Sequence, residues 1–183
     1  MARPGNPREK IMATAARLFF EQGYQATGIN QVLEEAGVAK ASLYTHFGSK
    51  EELGLAYLKE ARVAWFAGIT AMVDKKQSPA ERLLAIYDFL EQSMLANQFR
   101  GCRFINMLAE LGTEGAAMQE QIREHKEQLR RYVRKLAAAA GQTAATGDIA
   151  YLLFESAITE CKIYRDLWPV KAAKKQVKQL LSQ

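Results

Sequence analysis

The stretch Thr27–Glu52 limits the fold of this chain more than any other part of it. Ile29, Leu33 and Ala36 recur at helical spacing, which predicts a short helix with one apolar face. Gly37 follows at the position where a left-handed residue commonly ends a helix. The first half of the stretch therefore predicts a helix of about two turns, closed by a tight turn.

The second half of the stretch predicts another short helix, from Lys40 to Phe47. Leu43 and Phe47 lie four residues apart and face inward. The outer face is left with mostly polar and basic side chains, namely Lys40, Ala41, Ser42, Tyr44, Thr45 and His46. Two short helices joined by a glycine turn, the second with a polar outer face, describe a helix-turn-helix. The alternative is a small helical hairpin packed inside some other domain.

The same stretch resembles the DNA-binding domain of the TetR family of transcriptional regulators. The resemblance is carried by Gly23-Tyr24, Thr27, Ile29, Ala36-Gly37-Val38, Leu43-Tyr44, His46-Phe47, Ser49-Lys50-Glu51 and Leu53. It departs from the usual pattern at Gly28, where Thr or Ser is frequent, at Ala39, where a capping Ser or Thr is common, and at Ala41, which replaces a frequent glycine. A lost cap costs about 1 kcal/mol, which such a domain can absorb.

The resemblance implies a helix-turn-helix over about residues 28–47, inside a DNA-binding domain of residues 1–50. Residues 51–183 would then form an effector-binding and dimerisation domain. The second helix would enter the major groove, with its side chains against the bases and their flanks: Lys40, Ala41, Ser42, Thr45 and His46. Tyr44, Thr27 and Lys50 would mainly hold phosphates, which position the protein without reading sequence. Thr27 is also expected to cap the first helix of the motif.

The bulk composition fits this interpretation without establishing it. The 183 residues are 49% hydrophobic and 25% charged, with a formal net charge of +5, which suits a polyanionic partner. No apolar run approaches the ~18 residues needed to cross a membrane, and the polar start MARPGNPREK is unlike a signal peptide. Cys102 and Cys161 make no disulfide framework. We therefore expect a cytoplasmic protein with reduced thiols and no membrane partner.

Strand signals are almost absent, so the prediction is an all-α fold of about nine helices. It would consist of an N-terminal three-helix helix-turn-helix domain followed by a helical ligand-binding and dimerisation domain. Capping boxes predict helix starts at Asn6–Glu9, Ser49–Glu52 and Ser78–Glu81. Residues 1–6 would form a short arm that either touches DNA or is a mobile tail.

The last two helices are the expected homodimer surface. Gly141 to Gly147 is predicted to be a loop, followed by a helix from Asp148 to Trp168 that Pro169 stops. That helix has apolar residues on more than one side, which a monomer could not hide well. Two helices from each subunit would make a four-helix bundle, as the resemblance also implies. The alternative is that this helix is simply the central core helix.

Aromatic and methionine side chains of the C-terminal part suit a pocket for a small apolar molecule. The candidate effector-binding residues are Trp65, Phe66, Met94, Phe104, Met107 and Phe154, with Asn106 and His125 as polar contacts. An ordinary hydrophobic core explains each of these residues equally well. The resemblance, which implies an effector site here, favours the pocket.

Cys102 is a candidate redox or electrophile sensor. It lies at a predicted helix start between Arg100 and Arg103, and both features favour a thiolate. The alternative is a small residue that packs the start of the helix.

The sequence contains few features that would indicate another class of protein. Two histidines supply no Glu-x-x-His pair for a di-iron bundle, and the chain has no phosphate-binding glycine loop, no H-E-x-x-H and no nucleophile elbow. We expect no enzyme, no cofactor and no metal site. A helical protein-binding adaptor would leave the polar outer face of the motif unexplained. The leading hypothesis is a homodimeric repressor on a palindromic double-stranded DNA operator, released by a small, apolar effector.

Overall fold

A computed structural model of the chain describes residues 6–112 and 115–182. Residues 1–5 of the predicted N-terminal arm lie outside the described residues. Within the described part there is no strand, and there are nine helices, which confirms the all-α prediction. They are α1 (Pro7–Glu21), α2 (Ile29–Ala36), α3 (Lys40–His46), α4 (Lys50–Val73), α5 (Pro79–Ala96), α6 (Arg103–Glu110), α7 (Ala116–Ala139), α8 (Ala144–Tyr164) and α9 (Trp168–Leu180).

The start of α1 follows from local chemistry. The Asn6 side chain accepts a hydrogen bond from the Glu9 N–H, and the Glu9 carboxylate accepts one from the Asn6 N–H. Pro7 follows at the first position, where its fixed φ suits a helix and its missing N–H costs nothing. Ser78 and Glu81 form the same reciprocal cap at α5. These two capping boxes were predicted from the sequence and are confirmed.

The described residues pack as two compact units, which are not contiguous in sequence. The first comprises the described residues up to Arg62 together with those of Arg103–Arg123; in it α1 packs on α2, α3 and α6. The second comprises Val63–Cys102 and the described residues from Glu124 onward; in it α5, α8 and α9 pack on one another. The domain boundary after residue 50 stays a prediction from the sequence.

The start of α8 differs from the prediction. The segment Gly141–Gly147 is not all loop, because α8 begins at Ala144. The Thr143 hydroxyl caps the helix by accepting a hydrogen bond from the Thr146 N–H (3.2 Å). Gly147 lies inside α8, where a Cβ would come within 2.9 Å of the backbone Cα of Arg134 on α7. Gly147 is thus a close-packing residue, and the prediction that it ends a loop is wrong.

The end of α8 is also earlier than predicted. The helix closes at Tyr164, and Arg165 follows with a left-handed φ of 52°, which takes the chain out of the helical path. Pro169 falls in the first turn of α9. Proline is favoured there because its nitrogen needs no hydrogen-bond partner. The prediction that Pro169 stops α8 is wrong, since the proline begins the next helix.

Within the described residues, none of the helices is both long enough and apolar enough to cross a bilayer.

Candidate nucleic-acid interface

The turn between α2 and α3 holds the motif in one shape. Gly37 has a φ of 64°, and its N–H donates to Glu34 O (3.1 Å) while the next N–H, of Val38, donates to Leu33 O (3.1 Å). A residue with a Cβ is strained in this left-handed conformation, so glycine is the natural choice. Leu43 of α3 is buried, as is Phe47 directly after it. The inward orientation predicted for these two residues is confirmed.

The outer face of α3 is open to solvent. Lys40, Ala41, Thr45 and His46 are exposed, and Ser42 is half-buried. Tyr44 has 58% of its surface exposed, which is a large exposed apolar area for a helix this short. The face thus combines hydrogen-bonding side chains, one cationic lysine and one aromatic ring.

Neither helix of the motif has a side-chain cap. The residue before α2 is Gly28 and the residue before α3 is Ala39, and no side chain bonds the first amides at either position. The departures noted in the sequence therefore leave both helix starts uncapped. The Thr45 hydroxyl donates to Ala41 O (2.9 Å), so it is tied to its own helix and keeps its acceptor capacity for a ligand.

Thr27 does not cap α2, so that prediction is wrong. Its side chain is only 1% exposed and turns back toward α1. The hydroxyl donates to Gly23 O (2.6 Å) and accepts from Gln22 Nε2 (3.2 Å). Both bonds pair the buried hydroxyl, which would be costly to leave without a partner. Thr27 therefore fixes the chain between α1 and α2.

Lys50, the first residue of α4, is half-buried within the first unit. Its Nζ donates to Gln25 O (3.4 Å) and lies 4.6 Å from the centre of the Tyr24 ring. Burial lowers the pKa of Lys50 from its ordinary value, and the charge of the Glu110 carboxylate partly offsets this effect. The Ser49 hydroxyl caps the same helix by accepting from the Glu52 N–H (3.0 Å).

The predicted effector-binding residues are divided between the two units. Trp65, Phe66, Met94, His125 and Phe154 belong to the second unit, whereas Phe104, Asn106 and Met107 belong to α6 in the first. In the second unit the Trp65 ring centre is 5.1 Å from Phe66, 5.3 Å from His125 and 6.2 Å from Phe154, all in edge-to-face geometry. Met94, His125 and Phe154 are buried. In the first unit Phe104 and Met107 are buried and Asn106 is half-buried.

Two aromatic residues of this cluster were not predicted from the sequence. Phe89 stacks edge-on against Trp65 (5.3 Å) and Tyr132 against Phe66 (6.4 Å). The available signal was Gly68 on α4: a Cβ there would come within 2.8 Å of Phe89 Cε2. A glycine inside a helix, which costs about 1 kcal/mol, often marks such a close approach.

Cys102, the predicted sensor, belongs to a cluster in the second unit. Lys126 Nζ lies 3.4 Å from its sulfur and 2.6 Å from Glu155 Oε2. Burial alone would lower the pKa of Lys126, but the nearby Cys102 and Glu155 outweigh burial and raise that pKa above its ordinary value. Neither partner could be found from the sequence, since both are distant along the chain. Neither this cluster nor any other set of described residues brings three His, Cys, Asp or Glu side chains together on a metal-sized site.

Comparison with known proteins identifies the same motif. A sequence profile described as "Bacterial regulatory proteins, tetR family" matches residues 11–57. The HTH-type transcriptional regulator LmrA of Bacillus subtilis is 34% identical over 135 residues, which cover 72% of this chain and 72% of the relative. The HTH-type transcriptional repressor NemR of Escherichia coli is 26% identical over 190 residues, with 96% and 94% covered.

Solved structures extend the likeness to nearly the full length of the chain. SCO4454 of Streptomyces coelicolor, described as a TetR-family transcriptional regulator, superposes with a TM-score of 0.89 at 26% identity, over 98% of this chain and 90% of that one. The reduced form of Escherichia coli NemR gives a TM-score of 0.80 at 25% identity, over 95% and 96%.

Proposed function

Because this chain belongs to the TetR family and is thus a DNA-binding transcriptional regulator, we propose that it acts as a homodimeric repressor released by a small-molecule effector. The family consists of regulators, not enzymes. The observation that carries the proposal is the exposed outer face of α3, held outward by the buried Leu43 and Phe47. The protein would act in the cytoplasm, where bacterial DNA lies.

The proposed operator contacts follow from exposure and chemistry. Lys40, Ser42, Thr45 and His46 would meet base edges in the major groove, and the methyl group of Ala41 suits a thymine methyl. Tyr44 and Lys50 would contact phosphates, which fix the register on the duplex. Thr27 was expected to join them, but its hydroxyl is buried and bonded; we therefore assign it to holding the turn that precedes α2.

The proposed dimer surface is the solvent face of α8, with the adjoining α9. Ile149, Leu152, Tyr164 and Ile163 are large apolar residues that α8 exposes to solvent in the single chain. Ile149, Leu152 and Ile163 follow one another at intervals that keep them on one helical face. Such a face is hidden when two copies pack as a four-helix bundle. A two-fold dimer would then present two copies of α3 to the two halves of a palindromic operator.

The proposed effector site is the aromatic cluster of the second unit. Trp65 and Phe66 are half-buried beside the buried His125, so an apolar ligand could stack on the rings while the imidazole supplies a polar contact. Phe104, Asn106 and Met107 were predicted as further contacts and stay a prediction. An effector would release DNA only if it bound the DNA-free state more tightly than the operator-bound state. α4 contributes residues to both units, so it is the element that would couple effector binding in the second unit to DNA binding by the first.

The function is tested by fluorescence anisotropy with the intergenic DNA upstream of the protein's own gene. We expect specific binding whose log affinity falls linearly with log salt concentration. Lys50→Ala should weaken binding to every sequence and reduce that slope by about 1. Lys59→Ala, at an exposed lysine farther along α4, is the matched control and should leave the slope unchanged. The absence of specific binding at low salt would contradict the proposed operator binding. An unchanged salt slope in Lys50→Ala would contradict the proposed phosphate contact of Lys50.

A thiol-based sensor is the second candidate, and the cluster around Cys102 favours it. A neighbouring ammonium makes a cysteine more nucleophilic, and Lys126 Nζ is 3.4 Å from the sulfur. An electrophile with an activated double bond would form a carbon–sulfur bond with Cys102, and its neighbouring carbon would take the proton. Cys161 offers a comparison within the same chain, because burial raises the pKa of its thiol.

We expect N-ethylmaleimide to alkylate Cys102 well before Cys161 and to weaken operator binding. Peptide mass spectrometry reports the site, and anisotropy reports the affinity. Cys102→Ser should abolish the response, whereas Cys161→Ser should retain it. If alkylated Cys102 left the operator affinity unchanged, the thiol would have only a packing role.

A further inference from the structure

The end of α6 is hydrogen-bonded to the turn between α1 and α2. Glu110, its last residue, uses Oε2 to accept a hydrogen bond from the Gln25 N–H (2.8 Å), and its backbone carbonyl accepts one from Gln25 Nε2 (3.3 Å). Gly23 makes room for the carboxylate. A Cβ at Gly23 would lie 2.9 Å from both Glu110 oxygens, and its φ of 103° also favours glycine.

A second contact joins α6 to α1 in the same unit. The guanidinium of Arg103, at the start of α6, lies 4.2 Å from the centre of the Phe20 ring. This distance is within the range of a cation–π interaction. Both ends of α6 are therefore tied to the segment that leads into the DNA-reading motif.

The backbone of Gln25 links Glu110 to Lys50. Its N–H points to the Glu110 carboxylate, and its C=O accepts from Lys50 Nζ (3.4 Å). The ammonium also lies over the Tyr24 ring. The two bonds are made by the peptide groups on either side of the Gln25 Cα, so Glu110 and Lys50 together hold the backbone of Gln25 in place.

We propose that Glu110 is a positioning residue for DNA binding, which fixes the Gly23–Gln25 turn and, through Gln25, the Lys50 ammonium. The inference rests on the phosphate contact proposed above for Lys50. A lysine held near its working position loses less side-chain freedom when it meets a phosphate than a freely moving one. Glu110 itself touches no DNA in this scheme. Its effect on operator affinity therefore passes through Gln25 and Lys50.

The test compares three substitutions of Glu110 in the full chain. Glu110→Ala removes the acceptor, Glu110→Asp keeps the charge but falls one methylene short, and Glu110→Gln keeps an acceptor oxygen of the same reach. We expect about tenfold weaker operator binding for the first two, as suits the loss of one hydrogen bond, and a loss of less than about threefold for Glu110→Gln, which keeps that bond. Glu120→Ala, at an exposed carboxylate on α7 paired with Arg123, is the control and should bind like the wild type.

Two further measurements separate positioning from a general loss of stability. In a Lys50→Ala background, Glu110→Ala should weaken binding by less than about twofold, because the two residues act as one unit. Amide hydrogen exchange should show faster exchange at Gln25 in Glu110→Ala and Glu110→Asp, with the buried helical amide of Ile11 unchanged. The exchange measurement needs no DNA and reports directly on the hydrogen bond between Glu110 and the Gln25 amide.

The outcomes distinguish this inference from the proposed function. If Lys50→Ala weakens binding and Glu110→Ala does not, the inference is wrong and the phosphate contact stands. If Lys50→Ala has no effect on operator affinity, the proposed phosphate contact is wrong. The inference that Glu110 acts on DNA binding through Lys50 is then wrong as well. Equal losses from Glu110→Ala in the wild-type and Lys50→Ala backgrounds, or unchanged exchange at Gln25, would also overturn the inference.

Discussion

Replacing Leu152 with glutamate should convert the proposed dimer into monomers and weaken operator binding by at least about a hundredfold, because two linked half-site contacts gain that much over one. Leu152 is 62% exposed on the solvent face of α8, so the isolated subunit should tolerate glutamate there. In the proposed bundle the same position is buried against the partner, where an unpaired charge is expensive. Light scattering after size-exclusion chromatography measures the assembly, and anisotropy measures the affinity.

Val63 supplies the matched control for this experiment. It is an aliphatic residue with 64% of its surface exposed, and it belongs to α4, which is not one of the proposed bundle helices. Val63→Glu should leave both the assembly and the operator affinity unchanged. A dimeric Leu152→Glu protein would exclude the α8 face as the subunit interface. A monomer that keeps full operator affinity would instead exclude the dimer as the binding form.

Replacing Phe154 with alanine should lower the free energy of unfolding by about 3–5 kcal/mol, as large-to-small changes of a buried aromatic residue do. Phe154 is fully buried on α8, with its ring 5.8 Å from that of Tyr87 and 6.2 Å from that of Trp65. Tyr87 is itself anchored, because its hydroxyl donates to Ala150 O (2.7 Å). The loss would leave a cavity beside Tyr87, which its hydrogen bond keeps from moving in to fill it.

Urea denaturation, followed by circular dichroism, measures this loss. Leu95→Ala removes an exposed aliphatic side chain and should change the unfolding free energy by no more than about 0.5 kcal/mol. A cost below about 1 kcal/mol for Phe154→Ala would mean that the ring borders open space, as a residue of a ligand pocket does. The measurement therefore separates the two interpretations of Phe154 that the sequence left open, core residue and effector contact.

The helix-turn-helix could be predicted from the sequence because its determinants are local. Gly37, Leu43 and Phe47 act within a few residues of one another, and their spacing carries the geometry. Helix starts with capping boxes were predictable for the same reason, as at Asn6 and Ser78. Local rules were wrong where tertiary packing decided the outcome. Thr27 had the right chemistry for a cap, but its hydroxyl is bonded inside the turn.

The contacts that the sequence could not reveal join residues far apart along the chain. Glu110 and Gln25 are separated by 85 positions, and Lys126 is 24 positions from Cys102 and 29 from Glu155. Each partner is an ordinary charged or polar residue with no motif around it. Gly147 shows a related difficulty, since glycine signals both a loop and a close helix contact. Only the backbone of α7 beside it decides between them.

The membership of α6 in the first unit has a consequence for protein engineering. A chimeric regulator made by joining residues 1–62 to a foreign sensor half would omit Glu110, and the Gln25 amide would lose its acceptor. A graft that also transplants Arg103–Arg123 keeps the acceptor with its donor. The portable module for reprogramming operator choice is thus discontinuous in sequence. Its second piece is encoded about forty residues after the first one ends.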